Sequence, residues 1–137
     1  MKTIEVNINL DPVNDGVIFR RTDIRRKDKG ALIIATSGEY RIADEDEVRE
    51  ILEKMSEKGL GEYIGNTPYL AVLNKDKILS IGYEKYFVGT AVIMKYDGKS
   101  SHGMLTEDEF DEAAEQFMSR LITLSGDGQE FSAYEIL

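Results

Sequence analysis

Tyr69-Leu70-Ala71-Val72-Leu73-Asn74-Lys75-Asp76-Lys77-Ile78-Leu79-Ser80-Ile81 sets two short apolar runs around a charged, polar centre. Runs of this length, bounded by turn-forming residues, read as strands. The stretch predicts a β-hairpin with its turn at Asn74–Lys77. Beyond it, Tyr86-Phe87-Val88-Gly89-Thr90-Ala91-Val92-Ile93-Met94 predicts one longer strand that ends at Asp97-Gly98. Gly89 inside that strand signals a bulge or a close backbone approach. Turns of hairpin length join antiparallel neighbours, whereas parallel strands need a crossover of a dozen or more residues. The fold class follows as α+β. It is a largely antiparallel β-sheet of about six or seven strands with two amphipathic helices packed on it.

The rest of the chain supplies the other elements. Ile4, Val6 and Ile8 alternate with polar neighbours, as in a half-buried strand. Asp11-Pro12-Val13-Asn14-Asp15-Gly16 is dense in turn formers. Val17-Ile18-Phe19 then completes a hairpin or strand pair over residues 4–19. Ala31-Leu32-Ile33-Ile34-Ala35 is a continuous apolar run, the pattern of a strand covered on both faces. Asp44 is placed to cap a helix whose buried face is Val48, Ile51, Leu52 and Met55, with Gly59 as its stop. Thr106 and Glu109 have capping-box spacing. Phe110, Ala113, Ala114, Phe117 and Leu121 share one face of the helix behind them. Phe131, Ala133 and Tyr134 suggest a last short strand.

At 137 residues the chain is expected to form a single domain spanning 1–137. It has no cysteine, so disulfides and thiolate metal sites are excluded. The N-terminus lacks the apolar core of a signal peptide, and no stretch approaches the ~18 apolar residues of a membrane span. A cytoplasmic location without membrane association is the expectation. The net charge of −9 disfavours direct nucleic-acid binding, since phosphates repel the average surface. It favours a partner that presents a basic face.

Two charge clusters stand out. Residues 20–29 hold six basic side chains, Arg20, Arg21, Arg25, Arg26, Lys27 and Lys29, against two acidic ones. Guanidinium forks suit phosphates and carboxylates, so this loop reads as a site for an anion, a nucleotide or an acidic partner. A solvated loop balanced by nearby acidic helices accounts for it equally well. The acidic counterpart sits at the two helix starts. Asp44, Glu45, Asp46, Glu47 and Glu50 form one group. Glu107, Asp108, Glu109, Asp111, Glu112 and Glu115 form the other. Carboxylates in the first turn complement the helix dipole, which explains most of them. A row of carboxylates can also stand in for phosphates, and Glu107, Asp108, Asp111, Glu112 and Glu115 are the candidates for meeting a basic partner.

Other motifs reduce to ordinary structure. Gly59-Leu60-Gly61-Glu62-Tyr63-Ile64-Gly65 has one residue too many for a dinucleotide loop and reads as a helix stop and turn. His102 lies in a polar stretch with no oxyanion or triad signature. Asp11, Asn14 and Asp15 match no calcium-loop spacing. No cofactor or metal is expected. Tyr63, Tyr69, Tyr83, Tyr86 and Tyr96 surround the hairpin and suit either an interface or strand packing.

Four short pieces, in order, carry a resemblance. They are Gly61-Glu62-Tyr63-Ile64, then Ala71-Val72-Leu73-Asn74-Lys75-Asp76, then Val88-Gly89-Thr90-Ala91-Val92-Ile93, then Leu105-Thr106-Glu107-Asp108-Glu109 with Phe117 further on. From about residue 47 to 120 the chain resembles a family of uncharacterised small proteins of bacteriophages and conjugative mobile elements. The N-terminal 40 residues depart from that pattern. The resemblance implies a mobile-element origin and the cytoplasm of a bacterial host, and it transfers no catalytic residue. The expected function is non-enzymatic binding, as a stoichiometric inhibitor of a host defence protein. The alternative is a small-molecule binder that sequesters a nucleotide signal with the basic loop and tyrosines.

Overall fold

A computed structural model of the chain describes residues 3–5, 30–96 and 102–136. In chain order its elements are β1 (Thr3–Glu5), β2 (Ala31–Ala35), β3 (Tyr40–Ala43), α1 (Glu45–Met55), β4 (Gly59–Tyr63) and β5 (Tyr69–Asn74). They continue with β6 (Ile78–Ile81), β7 (Glu84–Phe87), β8 (Thr90–Tyr96), β9 (His102–Gly103), α2 (Glu107–Met118), β10 (Leu121–Gly126) and β11 (Gln129–Ile136). The expected turn at Asp11–Gly16, the strand at Val17–Phe19 and the basic loop Arg20–Lys29 lie outside the described residues.

The α+β class holds, with mostly antiparallel strands and two helices. The single sheet does not. The described strands form a five-stranded sheet, β1-β10-β11-β7-β6, and a six-stranded one, β3-β2-β8-β5-β4, with β9 also on β8. The parallel pair is β1 with β10.

The stretch 69–96 explains the split. The runs Tyr69–Leu73 and Ile78–Ile81 are not partners. They are two halves of one bent arm, with a 3-10 turn at Lys75–Lys77 between them. The second arm is β7 followed by β8. β5 pairs β8 with Val72 opposite Val92, and β6 pairs β7 with Ile78 opposite Phe87. The first arm therefore spends one residue more than the second at the bend, as a bulge does. The true turn is at Gly82-Tyr83, where Ile81 faces Glu84 and Gly82 has φ +63°. A two-residue hairpin loop reserves such a position for glycine. The corner is fixed by Thr36: its N–H donates to Gly89 O (2.8 Å), and Gly89 N–H donates to Thr36 Oγ1 (3.2 Å). Gly89 thus marks the place where the chain leaves one sheet for the other.

Both faces of the six-stranded sheet are covered. On one, Ala31, Ile33, Val72, Val92 and Met94 meet Val48 and Met55 of α1. On the other, Leu32, Ile34, Ala71, Leu73, Ala91 and Ile93 meet Phe110, Ala113, Ala114 and Phe117 of α2. Double coverage accounts for the unbroken apolar runs in β2 and β8. Phe87 and Tyr134 of the five-stranded sheet join the α2 side, so α2 lies where the two sheets meet. Leu121 departs from its expected place on α2 and instead opens β10. β10 and β11 are joined at Asp127-Gly128, both at positive φ, the two-residue turn chemistry that Asp-Gly supplies.

Candidate functional site: the acidic face of the second helix

Both helices begin as the sequence predicts. Asp44 Oδ1 accepts from Glu47 N–H at 2.8 Å. At α2, Thr106 N–H and Oγ1 both donate to Glu109 Oε1, at 3.0 and 2.9 Å. Each cap satisfies amide donors that the first turn leaves without helical partners.

From there the helices diverge. Four of the five carboxylates of α1 are answered close by. Glu47 is held by both terminal nitrogens of Arg41 on β3. Arg49 lies 3.7 Å from Glu45 and 3.5 Å from Asp46, and Lys54 lies 3.5 Å from Glu50. α2 carries six carboxylates in twelve residues and no Lys, Arg or His. Glu109 is paired from outside the helix, by Lys95 Nζ of β8 at 2.8 Å. Burial opposes ionisation of Glu109, yet the bonds from Lys95 and Thr106 outweigh it and hold its pKa below 4.5.

Asp108, Asp111, Glu112 and Glu115 form the stripe opposite the buried Phe110, Ala113, Ala114 and Phe117, and all four are exposed. Glu107 is exposed at the first turn. The five acidic residues expected to meet a basic partner are therefore brought together on one surface. Within it Glu112 is fastened, because its Oε2 accepts from the Tyr69 hydroxyl at 2.6 Å. Burial and this carboxylate together push the Tyr69 pKa well above 10. The basic loop, the other candidate, lies outside the described residues.

The tyrosines do not form one patch. Tyr69 and Tyr86 are buried, and Tyr86 donates to Glu84. Tyr63 and Tyr83 are exposed, at the edge strand β4 and at the hairpin tip. The sequence also conceals a cleft of about 310 Å³ beside the C-terminal end of α2, lined by Glu62, Asn66, Arg120 and Tyr134 among others. Arg120 Nε and Nη2 donate to Glu135 O at 3.3 and 3.1 Å, and its guanidinium lies 5.7 Å from the Tyr134 ring centre. Tyr134 in turn stacks on Phe117 at 4.6 Å. Arg120 thus pins the end of α2 to β11, and these contacts read as a packing junction. Only the Phe117 spacing hinted at it in the sequence.

Among the described residues no group of three or more His, Asp or Glu side chains is arranged to hold a metal ion. No described helix is long and apolar enough to cross a membrane. No protein-family model, curated protein or solved structure matches the chain.

Proposed function

We propose that this is a non-enzymatic binding protein that engages a basic-faced protein through the acidic stripe of α2. One observation carries the reading: α2 presents its carboxylates without a single basic residue of its own, whereas four of the five on α1 (Glu45, Asp46, Glu47 and Glu50) are met by Arg41, Arg49 and Lys54. A helix rises about 1.5 Å per residue, so Asp108 to Glu115 spans roughly 10 Å. Four carboxylates over that distance average one per about 3.5 Å of helix axis, in uneven steps of about 4.5, 1.5 and 4.5 Å, against one phosphate per ~3.4 Å of duplex axis for each DNA strand. Such a stripe suits a partner whose groove is built for a nucleic-acid backbone. The resemblance of residues 47–120 to mobile-element proteins extends the proposal to a bacterial host cytoplasm and to stoichiometric inhibition of a host defence factor.

The test is capture of the partner on immobilised protein, followed by competition. Short duplex DNA should displace the partner, and a variant carrying Glu107→Gln, Asp108→Asn and Glu115→Gln should retain at least tenfold less of it. Binding should also weaken steeply as salt is raised, because steering by exposed charge is screened. A partner held equally by the variant at equal folded stability would remove α2 from the mechanism. The nucleotide-sequestering reading makes a separate prediction. A nucleotide ligand would raise the melting temperature in proportion to ln(1 + [L]/Kd), and a protein inhibitor would show no such rise.

A further inference from the structure

We infer that the cleft beside the C-terminal end of α2 binds a free amino acid, taking its carboxylate at Arg120 and its ammonium at Glu62. The cleft has a volume of about 310 Å³. Small-molecule sites begin at roughly 300 Å³ and set a few convergent polar groups against apolar surface. Segments far apart in sequence meet there. Glu62 comes from β4, Asn66 from the turn between β4 and β5, and Arg120 from the junction of α2 with β10. Tyr134 and Ile136 come from β11.

Two opposite charges line this one cavity without cancelling each other. Among the described residues, neither Glu62 nor Arg120 has an ion-pair partner. Both still act on the Tyr134 hydroxyl. Burial raises its pKa, Arg120 draws it down and Glu62 pushes it up. A cation and an anion thus stand near one hydroxyl in the cleft, and a ligand that carries both signs answers both. The guanidinium is held in place beforehand. Its Nε and Nη2 donate to Glu135 O at 3.3 and 3.1 Å, and it lies 5.7 Å from the centre of a ring that stacks on Phe117. These bonds leave Nη1 for a ligand's carboxylate. A fork already fixed by packing loses little order on binding one. Glu62 supplies the counter-charge for an ammonium, and the Asn66 amide adds a donor and an acceptor. Ile136 is partly buried and offers apolar surface, which favours an aliphatic amino acid over glycine. The packing junction at the end of α2 supplies the rigidity that such a site needs. The acidic stripe of α2 is not used, so this inference does not rest on the proposed function.

The probes are L-leucine, leucinamide, which lacks the carboxylate, and N-acetyl-leucine, which lacks the ammonium. Titration of the full chain should give L-leucine a dissociation constant between about 10 µM and 1 mM. The backbone amide resonances of Gly65 and Asn66 should move in step with it. Each analogue should bind about tenfold more weakly or worse, because it leaves one of the two charges without its partner. Glu62→Gln keeps the size of the side chain and should weaken L-leucine by about tenfold with the melting temperature unchanged. N-acetyl-leucine makes no use of the Glu62 charge and should bind parent and variant alike. Arg120→Lys keeps the charge and loses the fork, so it should also weaken L-leucine. Because Arg120 ties α2 to β11, that variant is compared only after its melting temperature is known, and the Glu62→Gln result stands without it. The inference fails if L-leucine does not bind at about 10 mM. It fails equally if leucinamide or N-acetyl-leucine binds as L-leucine does, or if Glu62→Gln binds L-leucine as the parent does.

Discussion

α1 and α2 start from the same signal and end as different surfaces. Each has a side-chain cap and a first turn of three acidic residues, Glu45, Asp46 and Glu47 or Glu107, Asp108 and Glu109. Each lies on one face of the same sheet. The difference is in what lies nearby. β3 presents Arg41 to α1, and the helix carries Arg49 and Lys54 at spacings of three and four residues from acids. α2 carries no base, and Lys95 of β8 pairs with its capping glutamate. An acidic helix start is therefore not a functional signal by itself. What separates the two helices is the source of the bases, which α1 carries itself and α2 does not.

The buried faces differ as much as the exposed ones, and the largest expected effect lies there. Beneath α2, Phe110 and Phe117 are fully buried and Phe117 stacks on Tyr134. Beneath α1, the buried side chains are Val48 and Met55, which pack with Ile33, Val72 and Val92. Phe117→Ala should cost about 3–5 kcal/mol, and Met55→Ala, a smaller and slightly less enclosed side chain at 6% exposure, about 2 kcal/mol. Denaturant unfolding of both variants measures the gap. Equal midpoints would mean that the two helices are seated alike and that the junction between the sheets adds nothing.

This contrast also marks how far the sequence could be read. The helix faces were legible because Val48, Met55, Phe110 and Phe117 recur at a 3.6-residue period that nothing else imposes. Both caps were legible because their chemistry is local. The two-sheet arrangement was not. A bend that carries a strand from one sheet into another leaves its alternation intact on both sides, so Tyr86–Met94 reads as one strand. The polar residues Asn74–Lys77 look the same whether the chain reverses there or only turns a corner. Gly82-Tyr83 is hard to read as the true turn because Tyr83 is a strand former and Asn74–Lys77, richer in polar residues, offers the stronger turn signal. The charge clusters were visible, but the partners of Glu47 and Glu112 were not, since Arg41 and Tyr69 reach them only through the tertiary fold.

Acid should discriminate between the two helix starts next. The pKa of Glu109 is held below 4.5 in the folded protein, so the fold favours its ionised form. The stability this provides is complete above pH 4.5 and is lost as the pH falls through the depressed folded value. Glu109→Gln should therefore lower stability at pH 7 by about 1 kcal/mol, within the range for losing a cap. The difference from the parent should shrink steadily as the pH drops below 4.5. On α1, Glu50→Gln disturbs only the exposed pair with Lys54 and should stay within about 0.5 kcal/mol at pH 7. Thermal melts at a series of pH values would show both. A Glu109→Gln deficit that persists unchanged well below pH 4.5 would mean that its carboxylate is not what ties α2 to β8.

The smallest effect is the most direct reading of the surface charge. Glu115 lies four residues from Asp111 and three from Glu112, where like charges on a helix repel by about 0.2–0.5 kcal/mol a pair. It also sits in the last turn, where the helix dipole favours a cation. Glu115→Lys should therefore stabilise the protein, by a few tenths to about 1 kcal/mol in low salt. Arg49→Glu makes the reverse change on α1. It removes the cation shared by Glu45 and Asp46, and it should destabilise by a similar amount. Added salt should shrink both effects toward zero, because both are exposed charge interactions. If the two substitutions shift stability in the same direction, the carboxylates of α2 do not repel one another more than those of α1 do. If they shift it oppositely, and Glu115→Lys also weakens partner binding while strengthening the fold, then the carboxylates of α2 are kept at a cost to stability, as a surface held for binding would be.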